Sequence, residues 1–428
     1  MTLLKTTILS GISTTIKIIT GFISLKVIAI FIGPVGLALI GQLQNFIGMI
    51  STIATGGIST GVVKYTAEFR ENEVTKRKVW SSAINISLIV VFPISFLIAI
   101  FAKKISYFLL RTDTYSYVFF SFAFSLIFFV ANNILISILN GEKEIKKLTI
   151  VNIISSLTGL LLTILLVFYF QLAGAMLAII FSQSLVVLIT FLFVTKSRWF
   201  NFSLFFGKFD KEYTIKLLKY SLMTLTAASL NPLSQIFLRN YIGGSIGWDE
   251  AGYWQAVWRI SEAYLSVVTL SLSVYYMPKL SEIHDKKMLV KEILNGYKLI
   301  MPLVIIMALT IYLLKKLIIL LLFTPEFLPM EQLFLWQLIG DVIKIASWLL
   351  GNILVAKAMT KQFIITEAVF VCSFVILSIF FMHFFGLIGI TIGFAVNYTL
   401  YFGTLFLLLR RFFASEKLVS EYENPRER

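Results

Sequence analysis

The chain has 428 residues, 58% of them hydrophobic and 14% charged, with a mean hydropathy of +0.90 and a formal net charge of +15 at pH 7. A soluble domain carries about a quarter charged residues. Here the apolar residues gather in runs of about 20 or more between short charged loops, as in helices that cross a ~30 Å hydrocarbon layer. A soluble globular protein is thereby excluded, and the single cysteine, Cys372, excludes an internal disulfide and a Cys-rich metal site.

The first apolar stretch, 6–32, is too long for a signal-peptide core and no A-x-A site follows it, so it reads as span one. Further spans are predicted at 37–62, 81–101, 117–140, 148–170, 172–194, 217–242, 251–278, 299–314, 332–356, 363–383 and 386–409, which makes an all-α membrane protein of about 12 helices. Connections as short as Gly33-Pro34-Val35-Gly36 and Gln171 force antiparallel neighbours. With the N-terminus in the cytoplasm, and Lys219 at the edge of span seven counted with the segment before it, 27 of the 37 Lys and Arg fall in cytoplasmic segments, 5 in periplasmic loops and 5 within spans, so both termini are expected in the cytoplasm. The basic balance is then a topology signal and a contact with anionic membrane lipids, and nucleic acid is not an expected partner.

Segment 195–220 interleaves Lys196, Arg198, Lys208, Lys211, Lys216 and Lys219 with Trp199, Phe200, Phe202, Phe205, Phe206 and Phe209, which suits a membrane surface. It reads as a cytoplasmic amphipathic linker, 196–216, between an N-terminal six-helix lobe, 1–195, and a C-terminal six-helix lobe, 217–411, with a cytoplasmic tail over 412–428. The halves repeat. A shift of 215 places Ile138-Leu139 on Ile353-Leu354, Lys146 on Lys361, and Leu172 and Gly174 on Leu387 and Gly389. In span two, Gly41, Asn45, Gly48, Thr52, Thr55 and Ser59 alternate steps of 4 and 3, and in span eight Gln255, Arg259, Glu262, Ser266, Thr269 and Ser273 repeat the same steps in the same order. Such spacing puts each set on one helix face. Span one carries a third stripe: Thr6, Ser10, Ser13, Lys17, Thr20 and Ser24. Six spans return the chain to its starting side, so the halves are parallel repeats, an arrangement that places a substrate site between them. Close helix packing through small and hydroxyl residues is the competing explanation of the stripes.

Eight ionisable residues fall inside spans: Lys17, Lys26, Arg239, Arg259, Lys344, Glu262, Asp341 and Glu367. Each costs roughly 2.5–3.5 kcal/mol facing lipid at mid-helix, so most are expected to face protein or water. Arg259/Glu262 and Asp341/Lys344 are spaced i,i+3 and can neutralise each other. Lys17 has no acidic neighbour in sequence and is the best candidate cavity cation, whereas Lys26 and Arg239 can also snorkel. Glu367 lies near the cytoplasmic end of its span. Five cations against three acids make a cavity that suits an anionic, phosphate-bearing substrate. Asn45, Thr52, Asn231, Gln235, Gln255 and Ser266 are its expected polar lining. Asn231-Pro232 marks a bend in span seven that is either a hinge or a plain structural kink. His284 and His383 are far apart without metal-ligand spacing, so no metal, cofactor or catalytic residue is expected.

Particular strings carry a family resemblance: Gly33-Pro34-Val35-Gly36-Leu37, Lys64-Tyr65, Trp248-Asp249-Glu250-Ala251-Gly252-Tyr253-Trp254-Gln255, Ser273-Val274-Tyr275-Tyr276-Met277-Pro278, Trp336-Gln337-Leu338-Ile339-Gly340-Asp341-Val342-Ile343-Lys344 and Ala356-Lys357-Ala358. The chain resembles, over essentially its whole length, the Wzx flippases of enteric bacteria, which handle O-antigen units or the lipid-linked trisaccharide (lipid III) of enterobacterial common antigen. The resemblance implies the multidrug/oligosaccharidyl-lipid/polysaccharide (MOP) exporter superfamily, two six-helix lobes around a central cavity, and an inner-membrane location. It implies transport of an undecaprenyl-pyrophosphate-linked oligosaccharide from the cytoplasmic to the periplasmic leaflet. It further implies partners among the polysaccharide polymerisation and chain-length proteins. On that reading Lys17, Arg259 and Lys344 attract the pyrophosphate, while Glu262 and Asp341 modulate them or couple transport to ions. Related lipid II flippases concentrate arginines in the first lobe; here span two is neutral and the arginine lies on span eight. No G-x-x-x-x-G-K-[ST] loop is present, so the drive is an ion gradient, the membrane potential or product removal.

Two other functions compete for these residues. A cation-coupled drug antiporter of the same superfamily calls for a net acidic cavity. A membrane polysaccharide polymerase calls for a large external loop, but the longest periplasmic connections are 102–116 and 315–331 and no nucleophile or paired-carboxylate constellation occurs.

Overall fold

The computed structural model describes residues 3–414 apart from 206, 208, 209, 273–275, 284 and 358. His284, Ser273, parts of the linker and most of the tail lie outside the described residues. Helices α1 (Leu3–Ala54), α2 (Ser59–Glu68), α3 (Glu73–Leu110), α4 (Ser116–Gly141) and α5 (Ile145–Thr195) lead to α6 (Lys211–Ser245), α7 (Trp248–Ser271) and α8 (Met277–Glu282). Then come α9 (Lys286–Leu313), α10 (Lys315–Leu322), α11 (Phe334–Ala356), α12 (Thr360–Phe385) and α13 (Ile388–Ala414), with 3-10 turns at Phe202–Phe205 and Pro325–Leu333. Helix is what these apolar runs must form, since only it satisfies a lone segment's backbone polar groups in hydrocarbon.

Among the described residues, α1, α3, α4, α5, α9, α11, α12 and α13 are long and apolar enough to cross a membrane. α6 and α7 are less apolar because they carry Asn231, Gln235, Arg239, Gln255, Arg259 and Glu262.

At 52 and 51 residues, α1 and α5 are each two helices joined at a break. Gly33 breaks α1 at φ 71°, ψ −167°, a region open only to glycine. Gln171 breaks α5 at φ 48°, ψ −124°. Gly386, the counterpart of Gln171 in the repeat, ends α12 with φ 57°, ψ −142°. Just beyond each turn, Gly174 and Gly389 press against the preceding helix: an added Cβ would stand 1.8 Å from the Leu166 carbonyl oxygen and 2.3 Å from the Phe381 carbonyl carbon. The sequence repeat is therefore visible as the same tight hairpin built twice.

Span two is shorter than its predicted 37–62. The helix ends at Ala54, because Gly56 and Gly57 adopt φ +69° and +65°, and Thr55 and Ser59 leave the stripe.

Contacts divide the chain into two compact units, Met1–Asn240 with Leu322–Thr324, and Tyr241–Leu321 with Pro325–Arg428. In the first, α5 packs against α1 and α4, and α3 against α4; in the second, α13 packs against α11 and α12, and α9 against α11. The sequence places the lobe boundary at 196–216. By contacts, α6 as far as Asn240 joins the first unit, because Gln235 and Arg239 bond to α1.

The linker aromatics also differ from the expected lipid-facing arrangement. Trp199, Phe200 and Phe205 pack on a core of Leu135, Leu139, Val187 and Val194, and the Trp80 ring centroid lies 5.3 Å from that of Trp199 and 5.5 Å from that of Phe205. Among the described linker rings, Phe202, 59% exposed, faces outward.

Beside them lies a buried ion pair, Lys76 Nζ to Glu142 Oε1 at 3.0 Å, with Arg70 Nε 3.6 Å from Oε2. Burial pushes the Glu142 carboxyl above its ordinary pKa, and the bond from Lys76 opposes that shift. Glu142→Gln should strand the Lys76 charge and cost about 3–5 kcal/mol. The check is thermal denaturation in detergent, and Lys76→Met/Glu142→Leu should recover most of the loss. Gly33→Ala should cost on the order of 1–3 kcal/mol through its backbone, whereas Gly11→Ala, where an added Cβ meets nothing within 4 Å, should not lower the melting temperature.

Candidate functional site

Each unit holds its own set of polar side chains. In the first, α1 and α6 meet through amides. Arg239 is 1% exposed. Its Nη1 donates to Gln42 Oε1 at 2.9 Å and its Nη2 to Gln235 Oε1 at 2.9 Å. Asn45 Nδ2 donates to the same Gln235 oxygen at 2.9 Å, and Gln42 Nε2 to the Ile236 carbonyl at 3.2 Å. Arg239, a candidate cavity cation that could also have snorkelled, does not snorkel: the guanidinium is enclosed, and a charge-assisted amide network surrounds it. Lys26 does not snorkel either, since its ammonium donates to the Phe323 main-chain carbonyl.

Lys17 is different. It is exposed, and it makes no hydrogen bond or ion pair among the described residues, while Ser13 and Thr20, one turn to either side on the same face, are buried. Thr52 donates to the Gly48 carbonyl at 3.0 Å, satisfying itself within its own helix, and Gly48 has open space above it. Asn231 is exposed immediately before Pro232.

In the second unit α7 faces α11. Of the two i,i+3 pairs only one forms: Arg259 Nη1 lies 3.1 Å from Glu262 Oε2, with side chains 32% and 47% exposed. Glu262 Oε1 also accepts from Trp258 Nε1 at 2.8 Å. Asp341 and Lys344 do not pair among the described residues. Asp341, fully buried, accepts instead from neutral donors: Ser261 Oγ at 2.6 Å and Tyr264 OH at 2.9 Å on Oδ2, and Gln337 Nε2 at 3.3 Å on Oδ1. The Lys344 side chain turns toward aromatic rings instead. Its ammonium sits 5.4 Å from the Trp258 ring centroid, 5.0 Å from Trp348, 5.9 Å from Phe394 and 5.7 Å from Tyr398. Gln255 is buried with its Oε1 unbonded among the described residues, Ser266 donates to the Ala263 carbonyl at 2.6 Å, and Glu367 is half-buried on α12.

The units thus bring together Asn45, Gln235 and Arg239 in one cluster and Arg259 with Glu262 in another, and they leave Lys17, Thr52 and Asn231 separate. Sequence reasoning passed over Gln42, Ser261, Tyr264, Gln337 and the four rings around Lys344. Gln337 carried a local signal, one turn before Asp341. The rings carried none, because an aromatic residue in an apolar helix reads the same whether it faces lipid or a cation.

A family described as "Polysaccharide biosynthesis protein" matches residues 3–284. The lipid III flippase of Escherichia coli (strain K12) is 30% identical over 420 residues, spanning 96% of this chain and 100% of that protein, and the lipid III flippase of Shigella flexneri matches to the same extent. Among solved structures, a multidrug resistance MATE family transporter of the MOP superfamily, in its inward-facing conformation, superposes with a TM-score of 0.78 over 96% of both chains at 15% identity. Lipid II flippase MurJ, inward closed, superposes with a TM-score of 0.74 over 95% of this chain and 87% of that one, at 15% identity. At such identities the structural likeness establishes the fold, the all-α architecture of the MOP superfamily. With two thirds of its length matched by one family and a full-length relative at 30% identity, the chain belongs to the polysaccharide biosynthesis protein family of multi-pass membrane proteins.

Proposed function

We propose that this protein is a flippase of the bacterial inner membrane, with both termini in the cytoplasm. It moves an undecaprenyl-pyrophosphate-linked oligosaccharide, of the O-antigen or lipid III class, from the cytoplasmic to the periplasmic leaflet by alternating access. The likeness to the lipid III flippases supports the substrate class, and the polar content of α6 and α7 supports a hydrated path. It is a transporter and not an enzyme; protein partners among the polymerisation and chain-length proteins fit the same reading.

Lys17 carries the reading. It lies well before the Gly33 break in α1, roughly 24 Å down the helix at about 1.5 Å per residue, which leaves its Cα about 6 Å inside the far face of a ~30 Å hydrocarbon layer. An exposed ammonium at that depth must reach water, and because Lys17 shares a helix face with Ser13 and Thr20 this reading takes that water to be the substrate path. In this mechanism the pyrophosphate is attracted by Lys17 of the first unit and by Arg259 of the second, while the prenyl chain stays in lipid. Glu262 partly neutralises Arg259, which keeps the anion from binding too tightly to leave. Enclosed Arg239 and clamped Lys26 act as struts, and Asp341 and Glu367 remain the candidate coupling acids.

Lys17→Ala should lower translocation of a labelled lipid-linked oligosaccharide in proteoliposomes by about tenfold or more, the loss of one charge-assisted contact. Lys17→Arg should retain most of the rate, and Arg259→Ala should act in the same direction as Lys17→Ala. Full surface glycan in a flippase-null strain expressing Lys17→Ala at normal levels would remove Lys17 from the path. Absence of leaflet exchange by the wild-type protein would remove the flippase assignment itself.

A further inference from the structure

The second unit contains a feature that transport of an anion does not require. Lys344 points its ammonium into a ring of four aromatic side chains, two of them tryptophans, at 5.0–5.9 Å from their centroids. Rings at that range are how proteins bind alkylammonium ions, through the negative faces of their π systems. The walls come from three helices, Trp258 on α7, Trp348 on α11, and Phe394 and Tyr398 on α13. Three of the four also brace one another. Trp258 meets Phe394 edge-on at 5.4 Å and Phe394 meets Tyr398 edge-on at 4.9 Å. Phe394 is seated by Gly340, where an added Cβ would stand 2.3 Å from its ring. The ring therefore does not need Lys344 to hold its shape. Its electrostatics also favour a cation. The Trp258 indole N–H donates to Glu262 at 2.8 Å, which loads electron density onto the ring that faces the ammonium. Without Lys344, the ionisable residues that the sequence places in these spans are three carboxylates, Glu262, Asp341 and Glu367, against one guanidinium, Arg259.

We infer that this ring is an organic-cation site that the protein keeps filled with its own lysine. Lys344 is a tethered alkylammonium ligand. Its presence closes the second unit to primary and quaternary ammonium compounds, and so sets specificity against cationic cargo. The site exists whether or not the substrate is a lipid-linked oligosaccharide, so its failure and that of the flippase reading are separate results.

The test uses the full chain in nanodiscs and n-butylammonium, the Lys344 side chain as a free molecule. Lys344→Ala should bind it saturably, with a change in tryptophan emission and a rise in melting temperature, while the wild-type protein does neither. n-Butanol, of the same shape without the charge, should not substitute. Adding Trp258→Leu to Lys344→Ala should weaken n-butylammonium binding about tenfold. Binding of n-butanol as tightly as n-butylammonium would reduce the ring to an apolar cavity and overturn the proposal, as would a Lys344→Ala protein that folds and binds neither. Should Lys344→Ala fail to fold, labelling of Lys344 by an amine-reactive reagent, read by mass spectrometry of its peptide, decides the matter. Trp348→Leu should speed it severalfold, and an unchanged rate would overturn the proposal.

Discussion

Hydrocarbon offers a charge nothing to bond to, and every ionisable side chain in these helices is arranged around that fact. The solutions differ residue by residue. Arg239 is wrapped by two glutamine oxygens, Lys26 reaches a main-chain carbonyl, Asp341 gathers two hydroxyls and an amide, and Arg259 pairs with Glu262. Lys344 uses no oxygen at all and rests on π faces. Lys17 has none of these among the described residues and is exposed.

The way each charge is held also sorts structural from mobile roles. A carboxylate bonded to a buried lysine, as Glu142 is to Lys76, is expensive to disturb from either side, because each partner strands the other. Asp341 is held by neutral donors whose hydroxyls can give or accept a proton, so its surroundings tolerate a change of state that Glu142's do not. Cation–π contacts at Lys344 are individually weaker than a charge-assisted hydrogen bond to phosphate. The second unit thus holds Asp341 and Lys344 by neutral donors and π faces, without a direct ion pair between them among the described residues.

The repeat supplies the scaffold cheaply. The hairpin at Gln171 and its counterpart at Gly386 both reverse the chain in a few residues with positive φ, and each is followed by a glycine pressed onto the preceding helix. Gly33 and Gly247, near the ends of the helices that precede the two stripes, likewise both take positive φ. On this shared frame the halves differ: α1 carries Gly41, Asn45 and Gly48 where α7 carries Gln255, Arg259 and Glu262.

From the sequence by itself came the helical spans, the repeat and the Arg259/Glu262 pair, because hydropathy, helical periodicity and i,i+3 neighbours are local properties of one chain segment. Even the early end of span two was written there, as Gly56-Gly57 inside an apolar run. Only the tertiary structure decided that Asp341 would turn from Lys344 toward Ser261 and Tyr264, that Arg239 would be sealed by Gln42 from a helix far earlier in the chain, and that Lys344 would sit among four rings. Those partners come from other helices, and the azimuth at which one helix meets another is set by packing, which no single segment's pattern of apolar and polar residues encodes.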